Sequence, residues 1–172
     1  MNDTFLPGNG FDTYEEQDRV LMGLSDSVRS GVAVRILQQQ GFAVAAAVVR
    51  LADTPEEHAA ADAAKALAKK LDVECLALNA EALAGQDADA ARFAALLTAA
   101  DKLGIQYVAS GHYARMETDT QGVSHLFPPE SGAPDESSRL AALSPEVLAR
   151  LILPMGDFAP EDVEEMAKDF KL

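Results

Sequence analysis

The sequence predicts an α/β fold, a doubly wound parallel sheet with helices on both faces, and three observations carry that expectation. Short apolar runs at residues 19–24, 42–51, 73–78 and 106–110 alternate with segments of helical character. Strand–helix–strand units of this kind close with right-handed crossovers into a parallel sheet. The run at 42–51 is apolar almost throughout, the mark of a central strand buried on both faces. A loop of small residues at 25–30 joins the first apolar run to a helix, and open sheets of this class hold ligands beyond the carboxyl ends of their strands.

Each element has a local reason. Residues 1–18 read as a flexible leader, with a turn cluster at Pro7-Gly8-Asn9-Gly10 and a polar approach at Glu15-Glu16-Gln17-Asp18. Residues 19–172 then read as one domain. A helix over 32–40 is stopped by Gly41. Thr54, Pro55 and Glu57 spell a capping box with proline where the first turn tolerates it, opening a helix that runs to Leu71. The run at 73–78 is expected to be a buried strand, with Cys75 as a small core residue. An alanine-rich helix spans 87–103, and the next strand spans 106–110. Residues 117–138 form the longest polar stretch, rich in Pro, Gly and Ser, and are expected to be mobile. Ser144 and Pro145 open a short helix and Pro160 the last one. No internal repeat is evident.

Composition narrows the function. With 48% hydrophobic residues over 172 positions the chain can bury a sizeable core. It holds no apolar run of about 18 residues and no basic-then-apolar N-terminal signal. A single cysteine suits a reducing compartment, so a cytoplasmic location is expected. The net charge of −14, from 28 acids and 14 bases, runs against a surface built to grip many phosphates.

The loop at 25–30 is the candidate site. A strand, a small-residue loop and a helix form an anion cradle, because free N–H groups at the helix N-terminus face the loop. Such loops usually use glycine, so that the backbone can approach a phosphate at positive φ. Here the loop reads Ser25-Asp26-Ser27-Val28-Arg29-Ser30, with Gly31 after it. Other constellations are weaker. His58 and Asp62 lie four apart on a helix face, a spacing compatible with metal ligation, but no third ligand accompanies them. Ser110, His112 and Asp135 could be assembled by folding, though no motif places them. The acids Glu161, Asp162, Glu164 and Glu165 suit the start of the last helix electrostatically.

Five motifs in one order resemble the N-terminal domain of the tRNA-specific 2-thiouridylases, of the N-type ATP pyrophosphatase (PP-loop) group. The family loop is S-G-G-V-D-S-S, against Ser25-Asp26-Ser27-Val28-Arg29-Ser30 here. Leu37-Gln38-Gln39-Gln40-Gly41-Phe42 resembles L-x-x-Q-G-Y, and residues 62–73 resemble D-A-x-x-V-A-x-x-L-G-I. The most specific match is Leu103-Gly104-Ile105-Gln106-Tyr107-Val108-Ala109-Ser110-Gly111-His112-Tyr113-Ala114-Arg115, similar to L-G-A-D-Y-I-A-T-G-H-Y-A-R. Ile152-Leu153-Pro154-Met155-Gly156-Asp157-Phe158 resembles L-F-P-L-G-x-x. The resemblance implies an adenine nucleotide alpha-hydrolase-like, Rossmann-like fold. It implies loop amides that bind pyrophosphate, a loop aspartate that helps hold magnesium, and a Gly-His segment beside the nucleotide. On this chain those positions are Ser25, Asp26, Ser27, Val28, Arg29, Ser30, Gly111 and His112.

The departures shape the expected function. Arg29 stands at the aspartate position, and a guanidinium cannot bind a metal. It can pair with Asp26 or contact an anion directly. The family's cysteine-bearing loop, T-P-N-P-C-x-x-C-N, falls in residues 79–101, which contain no cysteine. The segment resembling K-D-Q-S-Y-F-L reads Pro134-Asp135-Glu136-Ser137-Ser138-Arg139-Leu140, without the lysine. Persulfide chemistry needs a low-pKa cysteine as carrier and another for release. The resemblance therefore implies a degenerate domain without catalytic residues of its own. Weak binding of ATP or a simple anion is expected, magnesium and direct tRNA binding are not. The family's central and β-barrel domains have no counterpart in these residues. Apolar surface is therefore expected around 153–158 and the last helix, covered by a second copy or by a partner such as a full-length thiouridylase or a sulfur-relay protein. The alternative is an adenylating enzyme with altered loop chemistry and cysteines supplied by a partner chain.

Overall fold

Strand β1 (Arg19–Gly23) is short, yet Val20, Leu21 and Met22 are wholly buried, because both of its faces are covered. Val20 and Met22 point into one apolar cluster and Leu21 into the other, the alternation that the pleat imposes. The computed structural model describes residues 18–172 apart from Asp26 and Ser131, so the leader expected over 1–18 lies outside the described residues except for Asp18. Around β1 stand β2 (Ala43–Arg50), β3 (Cys75–Asn79), β4 (Tyr107–Ala109) and the two-residue β7 (Leu151–Ile152). They form a five-stranded sheet in the order β3-β2-β1-β4-β7, and every neighbouring pair is parallel. Leu21 sits in register with Ala45 on one side and Val108 on the other.

Helices cover both faces. Helices α1 (Val28–Gln39), α2 (Pro55–Leu71) and α5 (Pro160–Asp169) line the cluster around Val20 and Met22. Helix α3 (Ala88–Leu103) and the short α4 (Pro145–Arg150) line the one around Leu21 and Val108. Side-chain caps explain where the first three begin. Ser27 accepts from the Ser30 N–H and starts α1 four residues before the expected Val32. Asp87 caps α3 at 3.0 Å. Thr54 caps α2 as expected, but Glu57 does not return to the Thr54 backbone; its carboxylate accepts from the Leu51 N–H at 2.9 Å.

Several expectations are corrected. The central strand is β1, while β2, one place out, is only half-buried at its ends. β3 is an edge strand with Leu76 38% exposed, and Cys75 is half-buried beside it. The polar stretch 117–138 contains regular structure: β5 (Arg115–Thr118) and β6 (Ser124–Phe127) pair antiparallel, with Met116 and Leu126 on the second cluster. A turn of 3₁₀-helix at Ser137–Leu140 comes next and seals Leu140 completely. Around 153–158, Pro154, Met155 and Gly156 are buried, and the exposed large apolar side chains lie elsewhere, at Val28, Leu76, Leu103 and Val123.

Chain direction then sets the site. From β1 the chain turns through α1 to β2 on one side, whereas β4 lies on the other. The loops leaving β1 and β4 diverge at this switch in strand order and leave a crevice between them.

Candidate functional site

The loop after β1 is tied together by its own serines. The Ser25 and Ser27 hydroxyl oxygens lie 2.9 Å apart, and the Ser27 N–H donates to the Ser25 hydroxyl at 3.1 Å. The Ser30 hydroxyl reaches the Ser27 carbonyl at 2.8 Å and the Ser25 carbonyl at 3.1 Å. Ser30 is buried, so its hydroxyl serves the loop rather than a ligand. Gly111, after β4, packs on this loop: a Cβ there would lie 3.6 Å from the Ser30 Cα. The loop and the Gly111-His112 segment therefore meet on one edge, as the sequence predicts.

Arg29 points across the crevice. Its guanidinium donates to both carboxylate oxygens of Glu136, at 3.1 and 3.3 Å, a bidentate fork. It also lies over the Tyr113 ring at 4.3 Å. Glu136 accepts in addition from the Tyr113 N–H at 2.8 Å. Asp26, the other partner considered for Arg29, lies outside the described residues.

His112 joins a second charged group. Its Nδ1 is 2.7 Å from the buried Ser110 hydroxyl, and its Nε2 is 3.5 Å from Asp89. Asp89, in the first turn of α3, receives Arg139 through two N–H groups at 3.0 and 3.2 Å. Arg139 also reaches toward Glu136 at 3.5 Å, which links the two groups into one network. Burial pushes the His112 pKa below the ordinary imidazole value; Asp89 opposes that shift, and Arg139 adds to it. His112 is thus a neutral imidazole near pH 7.

Between these groups lies a cavity of about 340 Å³. Leu24, Val48, Val49, Phe93 and Leu96 make its apolar wall. Ser25, Ser27, Arg29, Gly111 and His112 make its polar end, with Glu57, Asp89, Arg92 and Arg139 also on the lining.

The structure brings Ser25, Ser27, Arg29, Ser30, Gly111 and His112 together. It does not bring Asp135 to His112: that carboxylate accepts from the Ser137 N–H and hydroxyl at 2.9 and 2.6 Å, and Asp89 is the acid that faces the imidazole. His58 pairs with Asp53 at 2.5 Å. Among the described residues no cluster of three His, Cys, Asp or Glu could hold a metal. None of the described helices is long and apolar enough to cross a membrane. Burial raises the Cys75 thiol pKa, with Lys65 opposing, contrary to what a reactive cysteine needs. Sequence reasoning missed Asp89, Arg92, Glu136 and Arg139 as parts of the site. The available signal was the likeness of residues 134–140 to a family motif, in which the lost lysine stands out more than the new pairings.

Comparison with known proteins gives a consistent picture. A family model described as the tRNA methyl transferase HUP domain matches residues 88–172. The chain is 32% identical over 184 residues to the tRNA-specific 2-thiouridylase MnmA of Yersinia pestis (strain Pestoides F), covering 91% of this chain and 49% of the relative. The same values hold for the enzyme of Yersinia pseudotuberculosis (serotype O:1b, strain IP 31758). The chain spans about half the length of the curated relatives it matches. Among solved structures, the U34-tRNA thiolase NcsA of Methanococcus maripaludis superposes with a TM-score of 0.61 at 14% identity, covering 90% of this chain and 57% of that one. A predicted subunit of tRNA methyltransferase from Methanocaldococcus jannaschii gives 0.51 at 13% identity, covering 88% and 74%. At such identities these two structures speak for the fold alone.

Proposed function

Because this chain belongs to the tRNA-specific 2-thiouridylase family, we propose that it acts in tRNA thiolation as a non-catalytic PP-loop domain. In this reading it keeps a nucleotide or anion pocket and docks to a partner that supplies the sulfur chemistry. The observation that carries the reading is the Arg29–Glu136 fork, with both contacts within 3.3 Å. Where the resemblance expects a carboxylate for magnesium, this loop presents a cation. Where a phosphate would approach that cation, it finds a carboxylate already seated. A like charge within about 4 Å costs up to ~4 kcal/mol at an effective dielectric near 20. Both halves of a magnesium–triphosphate complex therefore meet repulsion here.

The cysteine chemistry points the same way. Cys75, the single cysteine of the sequence, lies on edge strand β3 with its pKa raised by burial. A sulfur carrier must instead be a lowered-pKa thiol. The partner in this reading is a thiouridylase or sulfur-relay protein, or a second copy of the chain. Calorimetric titration with magnesium–ATP, together with an assay for pyrophosphate release, tests the proposal. Expected are at most weak binding and no pyrophosphate. Micromolar magnesium–ATP affinity, or pyrophosphate released by this protein alone, would overturn it.

A further inference from the structure

We propose that β3 is a homodimer interface: two copies pair this strand antiparallel about a twofold axis near Ala77 and join their sheets into one. The proposal deepens the docking reading by committing its partner to a second copy, and it stands on the sheet edge rather than on the crevice. Among the described residues β3 pairs with β2 alone, so its outer row of backbone groups faces away from the sheet. Native edges are usually blunted by charge, proline, a bulge or shortness. The opposite edge follows that rule, since β7 is two residues long. β3 does not. Its Cys75-Leu76-Ala77-Leu78-Asn79 carries neither charge nor proline, Leu76 is 38% exposed, and Ala77 and Asn79 are exposed too.

The strand fits its own copy. A twofold at Ala77 sets Leu76 of one copy opposite Leu78 of the other, and Cys75 opposite Asn79. Leu78 packs on the second apolar cluster, so the pleat puts Leu76 on that same face. The leucines of the two copies then cover one another where a single copy leaves Leu76 open. The helices agree with this pairing. Helix α2 packs on both β2 and β3, so the two copies of α2 stand two strand spacings apart, ~10 Å, a separation that packed helices adopt. They run antiparallel about the twofold. Lys65 and Lys69 line the groove beside Cys75, and Asp62, three residues before Lys65, shares their side of the helix. All three are exposed. The row is thus acidic toward the helix start and basic toward its end, and the twofold brings Asp62 of one copy to Lys65 of the other. Leucine pairing and charge order both select a second copy over an unrelated chain.

Sedimentation equilibrium on the full chain at about 0.15 M salt tests this, and a dimer with a dissociation constant on the order of micromolar is expected. Leu76→Lys should weaken it at least about tenfold, with the far-ultraviolet circular dichroism unchanged. Asp62→Lys and Lys65→Asp should each weaken it about threefold, and the two together should restore it. In a Cys75→Ser background, Ala77→Cys should form an interchain disulfide on mild oxidation, because directly opposed residues of antiparallel strands have Cα atoms about 4.5–5.5 Å apart. Gln121→Cys, in the exposed turn between β5 and β6, should not. A monomer throughout the micromolar range, a dimer that ignores Leu76→Lys, or crosslinking as ready at Gln121 as at Ala77 overturns the proposal. These results are separable from failure of the non-catalytic reading: pyrophosphate release from ATP would sink that reading, whereas a monomer would sink only this one.

Discussion

His112 shows how one residue can be legible in sequence while its surroundings are not. The Gly-His pair after a strand marks the position, but the groups that tune it come from the first turn of α3 and from the 3₁₀ turn beyond the β5–β6 hairpin. Its pKa is depressed chiefly by burial, so the fold favours the neutral ring. The sign comes from proton counting. Between the lowered folded value and the ordinary one, the unfolded chain binds more protons than the native one. The stability contribution is therefore present above the ordinary value near 6.5 and is lost as pH falls through the folded value. Urea unfolding at a series of pH values from about 7.5 downward should show a smaller acid-side loss for His112→Gln than for the parent. Identical profiles for the two proteins would refute the assignment. The Arg29–Glu136 contact spans 107 residues in sequence and the Asp89–Arg139 contact spans 50. No local periodicity encodes such pairs, and so the serine loop was visible from the sequence while its charge network was not.

At the scale of elements, helices were the most legible, since Thr54, Asp87 and Ser144 each announce a start and accept a hydrogen bond there. Strands were less so. Apolarity reports burial but not rank in the sheet: the long alanine-rich run became β2, and the short run before the loop became the centre. A strand of two residues such as β7 carries almost no pattern of its own. It is held by its pairing with β4, and the segment after it packs closely on the chain entering β5, above all at Gly156. A Cβ at Gly156 would meet the Ala114 carbonyl oxygen at 2.5 Å and the Arg115 Cγ at 2.7 Å. Backbone cannot yield as a flexible side chain can, so Gly156→Ala should cost about 1–3 kcal/mol. Gly23→Ala, whose nearest neighbour is the Leu96 side-chain terminus at 2.9 Å, should cost less. Midpoints of urea unfolding for the two variants check the order, and the reverse order would show that the approach at Gly156 is not limiting.

At the scale of the whole molecule, charge sets what the chain can hold. Its 28 acids and 14 bases give a net charge of −14, and its arginines are largely spent on internal partners: Arg29 on Glu136, Arg50 on Glu81, Arg139 on Asp89 and Arg150 on Asp101. A protein that grips a polynucleotide gains most of its affinity by neutralising phosphates and releasing their counterions, and each phosphate contact adds about 0.7–0.9 to the salt slope. With its arginines so engaged and acids outnumbering bases two to one, this chain should contact few phosphates. Alone, it should therefore fail to retard tRNA in gel-shift experiments at about 0.15 M salt, where screening already shortens electrostatic reach to about 8 Å. Any binding seen at low salt should have a shallow slope, of about one or two phosphate contacts. A steep slope, or tight retardation at physiological salt, would mean that a basic surface is assembled from these residues after all, and would move the proposed role from partner docking to direct tRNA capture.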